Sequence, residues 1–475
     1  MDERPDNHEA AMALEPVLER LRAGFAADAF PSAGARKERL RQLRSLVLEN
    51  RQALIDAVCA DFGHRSATET ELSELFPTLE EIRYASGRLK GWMTPRRRPV
   101  SQWFMPARNR VMPQPLGVIG VVVPWNFPLF LAFGPLVGAL AAGNRVMIKM
   151  SEFTPRTGAL LERLCRHYFG DGLVAVVNGG VDVAEAFTRL PFDHLLFTGS
   201  TAVGRHVMRA AAANLTPVTL ELGGKSPVIV SRCADLKKTA ASLVQGKLLN
   251  AGQICVAPDY VLVPHEERAA LVAELKSAFA KQYPRRNDNP DYTCIINDRQ
   301  YRRLADWLEE ARTAGADVQR VDPAGEPDTG RKMPLHLVLD CPDSARLMQE
   351  EIFGPILPIV GYDSLDEALD YVNRRPRPLA LYLFARRQET VDRVLAQTLS
   401  GGVAINDTVM QVAQDGLPFG GVGPSGMGHY HGYDGFLTFS KLKPVFVQSR
   451  LGMTWMTRAP YGRLSGWLVR LMVGG

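Results

Sequence analysis

No two of the six cysteines form a CxxC pair, and none stands with histidine at zinc-ligand spacing. Cys59, Cys165, Cys233, Cys255, Cys294 and Cys341 are scattered through 475 residues, which excludes a disulfide framework of the small secreted kind and a structural metal. They read as reduced thiols of a cytoplasmic protein. The opening Met1-Asp2-Glu3-Arg4-Pro5-Asp6 lacks the basic-then-apolar order of an export signal. A charge excess of either sign is missing too. With 56 basic against 51 acidic side chains, the formal charge of +5 is too dilute to argue for nucleic-acid binding. No repeat or low-complexity segment stands out. One stretch does lack charge altogether, from Val111 to Asn144, and is long enough to cross a bilayer. Pro113, Pro115, Pro124, Pro128 and Pro135 would break such a helix repeatedly, and Asn126 would sit unpaired in lipid. The stretch is better read as a buried strand from Val118 to Val123, a turn through Pro124-Trp125-Asn126-Phe127-Pro128, and an apolar helix ending near Gly143.

What is present is the balance of a globular enzyme, 46% hydrophobic and 23% charged, in a chain long enough for two large domains. The first hundred residues are mostly helical in pattern. From Lys37 to Ala60, Leu40, Leu43, Val47, Leu54 and Val58 follow one helical stripe. From Val118 onward, short apolar runs alternate with helical spacing. Arg145 to Met150, Val174 to Val177, His194 to Thr198 and Thr219 to Leu222 form one set of strands. Pro227 to Val230, Tyr260 to Val263, Ile356 to Val360, Ala380 to Phe384 and Val403 to Ile405 form a second. This rhythm predicts an α/β protein of two doubly wound, Rossmann-like domains that meet near Gly223-Gly224.

Three groups of residues invite chemistry. Cys255 follows Glu221 in the chain, and a thiol with a carboxylate can divide one hard reaction into two, sulfur attacking an electrophilic carbon and the carboxylate later activating water. A small buried hydrophobe is the alternative for any single cysteine. Phe197-Thr198-Gly199-Ser200-Thr201-Ala202-Val203-Gly204 spans a strand end and a helix start, where Gly199 lets the backbone turn and Ser200 can cap amides that attract phosphate. It lacks the G-x-G-x-x-G spacing, and a purely structural turn stays open. Lys149 and Glu152 flank another strand end, as sharers of ribose hydroxyls or as a solvated Lys/Glu pair.

Taken together, the motifs resemble the NAD(P)-dependent aldehyde dehydrogenases. Pro124-Trp125-Asn126-Phe127-Pro128, Phe197-Thr198-Gly199-Ser200, Glu221-Leu222-Gly223-Gly224-Lys225, Gly252-Gln253-Ile254-Cys255 and Glu350-Glu351-Ile352-Phe353-Gly354-Pro355 stand in that family's order and spacing. The likeness runs on through Pro418-Phe419-Gly420-Gly421-Val422-Gly423-Pro424-Ser425-Gly426 and covers roughly Leu21 to Val447. Ala257-Pro258-Asp259-Tyr260 after the cysteine looks like class 3, the branch with the fatty aldehyde dehydrogenases. Ala60-Asp61-Phe62-Gly63-His64-Arg65-Ser66 and Gly428-His429-Tyr430-His431-Gly432 look like its bacterial coniferyl aldehyde branch.

The resemblance implies a fold of two Rossmann-like domains with a small oligomerisation arm. An NAD-binding domain would span 1–222 with an arm segment near 96–113, a catalytic domain 223–420, a return to the arm region 421–447, and an amphipathic tail 448–475. Cys255 would be the nucleophile, Asn126 with the Cys255 amide the oxyanion donors, and Glu221 the base that releases the acid. For the cofactor, Lys149 and Glu152 would take the adenosine ribose. Gly199 and Ser200 would face the pyrophosphate side and Glu351 with Phe353 the nicotinamide ribose, with Trp125 and Gly204 among the other cofactor-binding residues. A carboxylate at Glu152 favours NAD over NADP, with NADP as an alternative. The expected substrate is coniferyl aldehyde or a related aromatic or medium-chain aldehyde. A coenzyme A-acylating enzyme would not need Glu221, and a noncatalytic scaffold would not need the intact motifs. No metal is expected.

Arg96-Arg97-Arg98 with Trp103-Phe104-Met105 resembles part of the family's arm, and the class 3 likeness implies a homodimer, with a tetramer left open; no base-stacking module accompanies the arginines, so nucleic acid is not expected. In the tail, Leu464, Trp467, Leu468, Leu471 and Met472 fall at i, i+3, i+4, i+7 and i+8, with Arg463 and Arg470 nearby. Docking on the same or a partner subunit is the favoured reading, and contact with a membrane surface the alternative.

Overall fold

The computed structural model describes residues 7–452 and 454–474. Its centre is a six-stranded sheet in the order Gly426–Met427, Val218–Leu222, His194–Gly199, Val118–Val122, Arg145–Lys149, Val174–Val177, parallel except for the first, short strand. The chain starts in the middle at Val118–Val122, winds outward one way through Arg145–Lys149 and Val174–Val177, and returns to the other side at His194–Gly199. That reversal opens a crevice at the carboxyl ends of Val118–Val122 and His194–Gly199, the place where ligands bind in such sheets. The connecting helix Phe130–Ala142 is buried at every position, which accounts for the charge-free run in the sequence. Gly143 stops it in the left-handed conformation that glycine tolerates, at φ 99°.

A second sheet has seven strands in the order Asp317–Val321, Leu335–Leu339, Ile356–Tyr362, Tyr260–Pro264, Pro227–Val230, Ala380–Phe384, Gly402–Ile405, all parallel but for the antiparallel first pair. Strands Val218–Leu222 and Pro227–Val230, on either side of Gly223-Gly224, lie in different sheets. A third, antiparallel sheet joins distant parts of the chain, as Arg108–Pro115 pairs with Arg96–Arg98 on one side and with Ser440–Val447 on the other.

The helical stripe from Lys37 to Ala60 is two helices, Ala33–Glu49 and Arg51–Phe62, rather than one. Asn50 breaks it. Its side chain donates to the Leu46 carbonyl at 2.9 Å while its own carbonyl accepts from Leu54 N–H at 3.0 Å, so one residue closes the first helix and opens the second. The apolar period survives the break because all five stripe residues face the same core. The tail forms a helix, Arg463–Val473, but its apolar face does not dock on the described residues of its own chain. Trp467 is 59% exposed and Leu471 53%, and Ser465 alone in the helix is buried, donating to the Met456 carbonyl at 2.7 Å. No helix among the described residues is long and apolar enough to cross a membrane.

Candidate active site

Cys255 lies in a turn after the helix Leu236–Leu248, and the turn is held by side chains rather than by regular structure. Asn250 and Ala251 adopt left-handed conformations at φ 50° and 52°, uncommon for residues with a Cβ and stable only when neighbours fix them. The fixing groups are visible. Gln253 donates to the carbonyls of Asn250 (2.9 Å) and Cys294 (3.1 Å) and accepts from Ile296 N–H (2.9 Å), while Glu69 accepts from Asn250 N–H (3.1 Å) and from the Thr293 hydroxyl (2.5 Å). Asn250 in turn donates to the backbone carbonyl of Asn126 at 3.0 Å, which ties the cysteine turn to the turn after strand Val118–Val122.

Asn126 is buried. Its side-chain amide donates to the Gln253 carbonyl at 3.1 Å and keeps a second N–H. Its backbone carbonyl also accepts from Arg65 at 2.9 Å. Arg65 is itself sealed in, between the rings of Phe62 and Phe127 at 4.9 and 4.8 Å, and pairs with Glu74 at 3.0 Å. The other Glu74 oxygen accepts from Leu129 and Phe130 N–H, at the start of the helix Phe130–Ala142. An N-terminal helical layer thus positions both turns of the site.

Glu221 stands on strand Val218–Leu222 between Thr198 and Gly426 in register. It is buried, and among the described residues neither carboxylate oxygen has a hydrogen-bond partner, so burial pushes its pKa well above the usual carboxylate range. Cys255, Glu221 and Asn126 come together on one cavity, otherwise lined largely by Phe127, Phe130, Leu131, Met410, Phe419 and Tyr430. Burial, then the charges of Glu351 and Glu221, push the Cys255 thiol upward, so it rests protonated. All six cysteines are free thiols.

The remaining expected residues do not line that cavity. Lys149 ends its strand buried, donating to the Met150 carbonyl at 2.8 Å, and burial lowers its pKa; Glu152 is exposed beyond it. The two form no ion pair among the described residues, so the solvated-pair reading does not hold for Lys149. Ser200 caps the helix Thr201–Ala212, accepting from Val203 N–H at 3.4 Å, and Gly199 precedes it where a Cβ would meet the Phe197 ring at 2.5 Å. Gly204 is buried within that helix, and a Cβ there would meet Leu222 at 2.6 Å, so its contribution is close approach of helix to strand. Trp125 and Phe353 meet edge to face, centroids 5.3 Å apart, and Phe353 has φ 53°.

Glu351 reaches back over the turn after Glu221. Its pKa is pushed up to about 8, by burial first and by Asp259 next. A Cβ on Gly223 would fall on its carboxylate. Its segment is pinned by Lys225, which donates to Asp259 (2.6 Å) and to the carbonyls of Leu347 (2.7 Å) and Glu350 (3.0 Å), while Asp259 accepts from Ile352 N–H at 3.1 Å. A nicotinamide cofactor fits what is here. Glu351 Oε1 is a buried acceptor without a partner among the described residues, suited to ribose hydroxyls, and the capped helix start beside Gly199 suits a phosphate. No metal-binding cluster occurs among the described residues. The motifs give no role to Arg65, Glu69, Glu74 and Asn250, nor to Thr198, whose buried hydroxyl lines the cavity without a partner among the described residues.

A family model described as the aldehyde dehydrogenase family matches residues 13–445. A protein of Pseudomonas aeruginosa named probable coniferyl aldehyde dehydrogenase is 56% identical over 95% of this chain and 94% of its own. The coniferyl aldehyde dehydrogenase of a Pseudomonas species is 48% identical over 94% of each. Among solved structures, the substrate-bound state of Staphylococcus aureus AldH superposes with a TM-score of 0.91 at 36% identity, covering 97% of this chain and 99% of that one.

Proposed function

The chain belongs to the aldehyde dehydrogenase family, and from that premise we propose that it oxidises coniferyl aldehyde to ferulate with NAD as acceptor, through covalent chemistry on Cys255. The observation that carries the mechanism is the meeting of a thiol, a partnerless carboxyl group and a buried amide on one apolar cavity. The Cys255 thiol gives up its proton, for which the unpartnered Glu221 carboxylate on the same cavity is the available acceptor, and Sγ adds to the aldehyde carbon while the free N–H of the Asn126 amide with the Cys255 backbone N–H stabilises the oxygen of the thiohemiacetal. NAD, when bound, supplies the hydride acceptor that carries the adduct to the thioester. Glu221 removes a proton from water as that water adds to the thioester carbonyl, and Cys255 leaves as the acid departs. A desolvated carboxylate suits this step, since its raised pKa makes it a stronger base.

Lys149, Glu152, Gly199, Ser200, Glu351 and Phe353 are proposed to hold the cofactor, with 1–222 as the domain that carries most of it and 223–420 as the catalytic one. Glu152 supports NAD over NADP, because a carboxylate accepts from a ribose hydroxyl and repels a phosphate in its place. Coniferyl aldehyde is favoured by the relatives that carry that name and by the aromatic lining of the cavity, which suits a flat phenylpropenal. A homodimer is proposed, built through the small antiparallel sheet, whose outer strands leave edges open for pairing. The test is kcat/KM for coniferyl aldehyde, benzaldehyde and a medium-chain alkanal under each cofactor, read as NADH or NADPH formation. Coniferyl aldehyde with NAD should give the highest value. A preference of tenfold or more for the alkanal would reject the substrate, and no reduced cofactor from any of the three would reject the chemistry.

A further inference from the structure

The cavity that holds Cys255 has two unlike ends. Asn126, Thr198, Glu221 and Tyr430 line it and are buried, whereas Pro77 and Val412 are half-buried and Met410 is 41% exposed. The chemistry therefore sits at the closed end, and a substrate with its aldehyde carbon at Cys255 extends its far end toward Pro77 and Met410. That outer end is nearly all apolar. Cys255 apart, Ser73 is the one polar side chain lining the cavity, among the described residues, that is not buried.

Ser73 lies in the segment Glu71–Leu75, which winds as one π turn between the helices Ala67–Thr70 and Phe76–Met93. Such turns interrupt the regular period of a helix and recur at functional sites. On this one Glu74 turns inward to Arg65, Leu72 is 65% exposed, and Ser73 between them lines the cavity. Its hydroxyl donates to the Glu69 carbonyl. With its proton so committed, a serine offers a neighbour only lone pairs, so the outer end presents a hydrogen-bond acceptor.

Glu69 also fixes how far that acceptor stands from the thiol. Its carbonyl takes the Ser73 hydroxyl, while its carboxylate takes the Asn250 N–H of the nucleophile's turn at 3.1 Å. One buried residue thus anchors both ends of the space a substrate must fill. A flexible alkanal has no use for a polar group set at a fixed reach. A rigid conjugated aldehyde does, when its ring carries a hydroxyl opposite the aldehyde side chain.

We propose that Ser73 is a specificity-determining residue that accepts a hydrogen bond from the ring hydroxyl of a para-hydroxycinnamaldehyde whose aldehyde carbon lies at Cys255. This role for Ser73 rests on Cys255 acting on an aromatic aldehyde, and it names the ring substituent that the site reads. An acceptor there favours a phenol over its methyl ether, since the ether oxygen brings no proton and would face the serine lone pairs.

The test compares coniferyl aldehyde, its phenol methyl ether and benzaldehyde on the parent enzyme and on Ser73→Ala. The parent should prefer the phenol to the ether by about tenfold in kcat/KM, the worth of one hydrogen bond. Ser73→Ala should erase that preference by raising the KM for coniferyl aldehyde about tenfold at unchanged kcat, because a contact remote from the reacting carbon is made equally before and in the transition state. The ether and benzaldehyde, which bring no phenol to the serine, should keep their kcat/KM within about twofold. A parent that treats phenol and ether alike overturns the proposal, as does a Ser73→Ala enzyme that keeps the preference. So does a Ser73→Ala enzyme whose kcat/KM falls alike for all three substrates, which would make the serine a support of the π turn. A parent that oxidises benzaldehyde but neither cinnamaldehyde would remove coniferyl aldehyde as substrate and the role of Ser73 with it.

Discussion

Cys255 keeps its thiol where negative charge is least welcome, half-buried on an apolar cavity and within electrostatic reach of two carboxyl groups. The nucleophile must therefore be made by the bound state, and its neighbours decide how hard that is. Glu351 ionises at about pH 8, so in the range where the thiol titrates it carries a negative charge that holds the proton on sulfur. Glu351→Gln removes that charge, and the pH at which Cys255 becomes alkylated by iodoacetamide should fall; an unchanged profile would show that burial alone sets the thiol. Cys255→Ala should abolish turnover while leaving cofactor binding intact, read by fluorescence titration with NADH. Glu221→Gln loses the base for hydrolysis but not the nucleophile, so intact-protein mass spectrometry should find the acyl group accumulating on Cys255. A fast Glu221→Gln enzyme with no adduct would assign the base elsewhere.

At the scale of elements, the site depends on parts far from it in sequence. The Arg65–Glu74 pair joins the N-terminal helices to the turn at Asn126 and to the helix Phe130–Ala142. Arg65→Leu would strand a buried carboxylate and cost about 3–5 kcal/mol, measurable as a fall in the urea midpoint. Adding Glu74→Gln should recover part of that loss, because the uncompensated charge is gone. Gly223 makes a contrasting case. A Cβ there would displace only the mobile end of Glu351, so Gly223→Ala should leave stability nearly unchanged yet raise the KM for NAD several-fold. Equal losses in both would place the strain in the backbone instead.

These two examples mark what a reader of the sequence can find. Cys255, Glu221 and Asn126 are legible because each sits in a short motif whose residue types are unusual together, and the strands because their runs are short, apolar and regularly spaced. The strands Arg108–Pro115 and Ser440–Val447 are not, since their exposed faces carry no clean alternation and their pairing joins segments far apart in the chain. Arg65 and Glu74 look like two ordinary surface charges until the fold encloses them. Asn50 shows the reverse, where an unbroken apolar period hides a broken helix.

At the scale of the whole molecule, the two large sheets share one cavity: Asn126, Thr198 and Glu221 come from the six-stranded side, Cys255 and Met410 from the seven-stranded side. Neither half holds a complete set. The tail stands apart from this arrangement, and deletion of 448–475 should leave the thermal midpoint and the rate of aldehyde oxidation in solution close to the parent's, by calorimetry and steady-state assay. A large fall in either would show that the tail supports the fold.

The exposed cations Arg96, Arg97, Arg98, Arg108, Arg110, Lys441 and Lys443 on or beside the small antiparallel sheet, with Arg450, Arg458, Arg463 and Arg470 in the tail, also make the molecule a permanent dipole. A formal charge of +5 describes how it migrates from afar, but not how it lands. Close to any negatively charged wall, a resin bead or an electrode as much as a cell component, the torque on that dipole acts before contact. Molecules would arrive the same way up, with the small sheet down and the rest of the body facing the bulk.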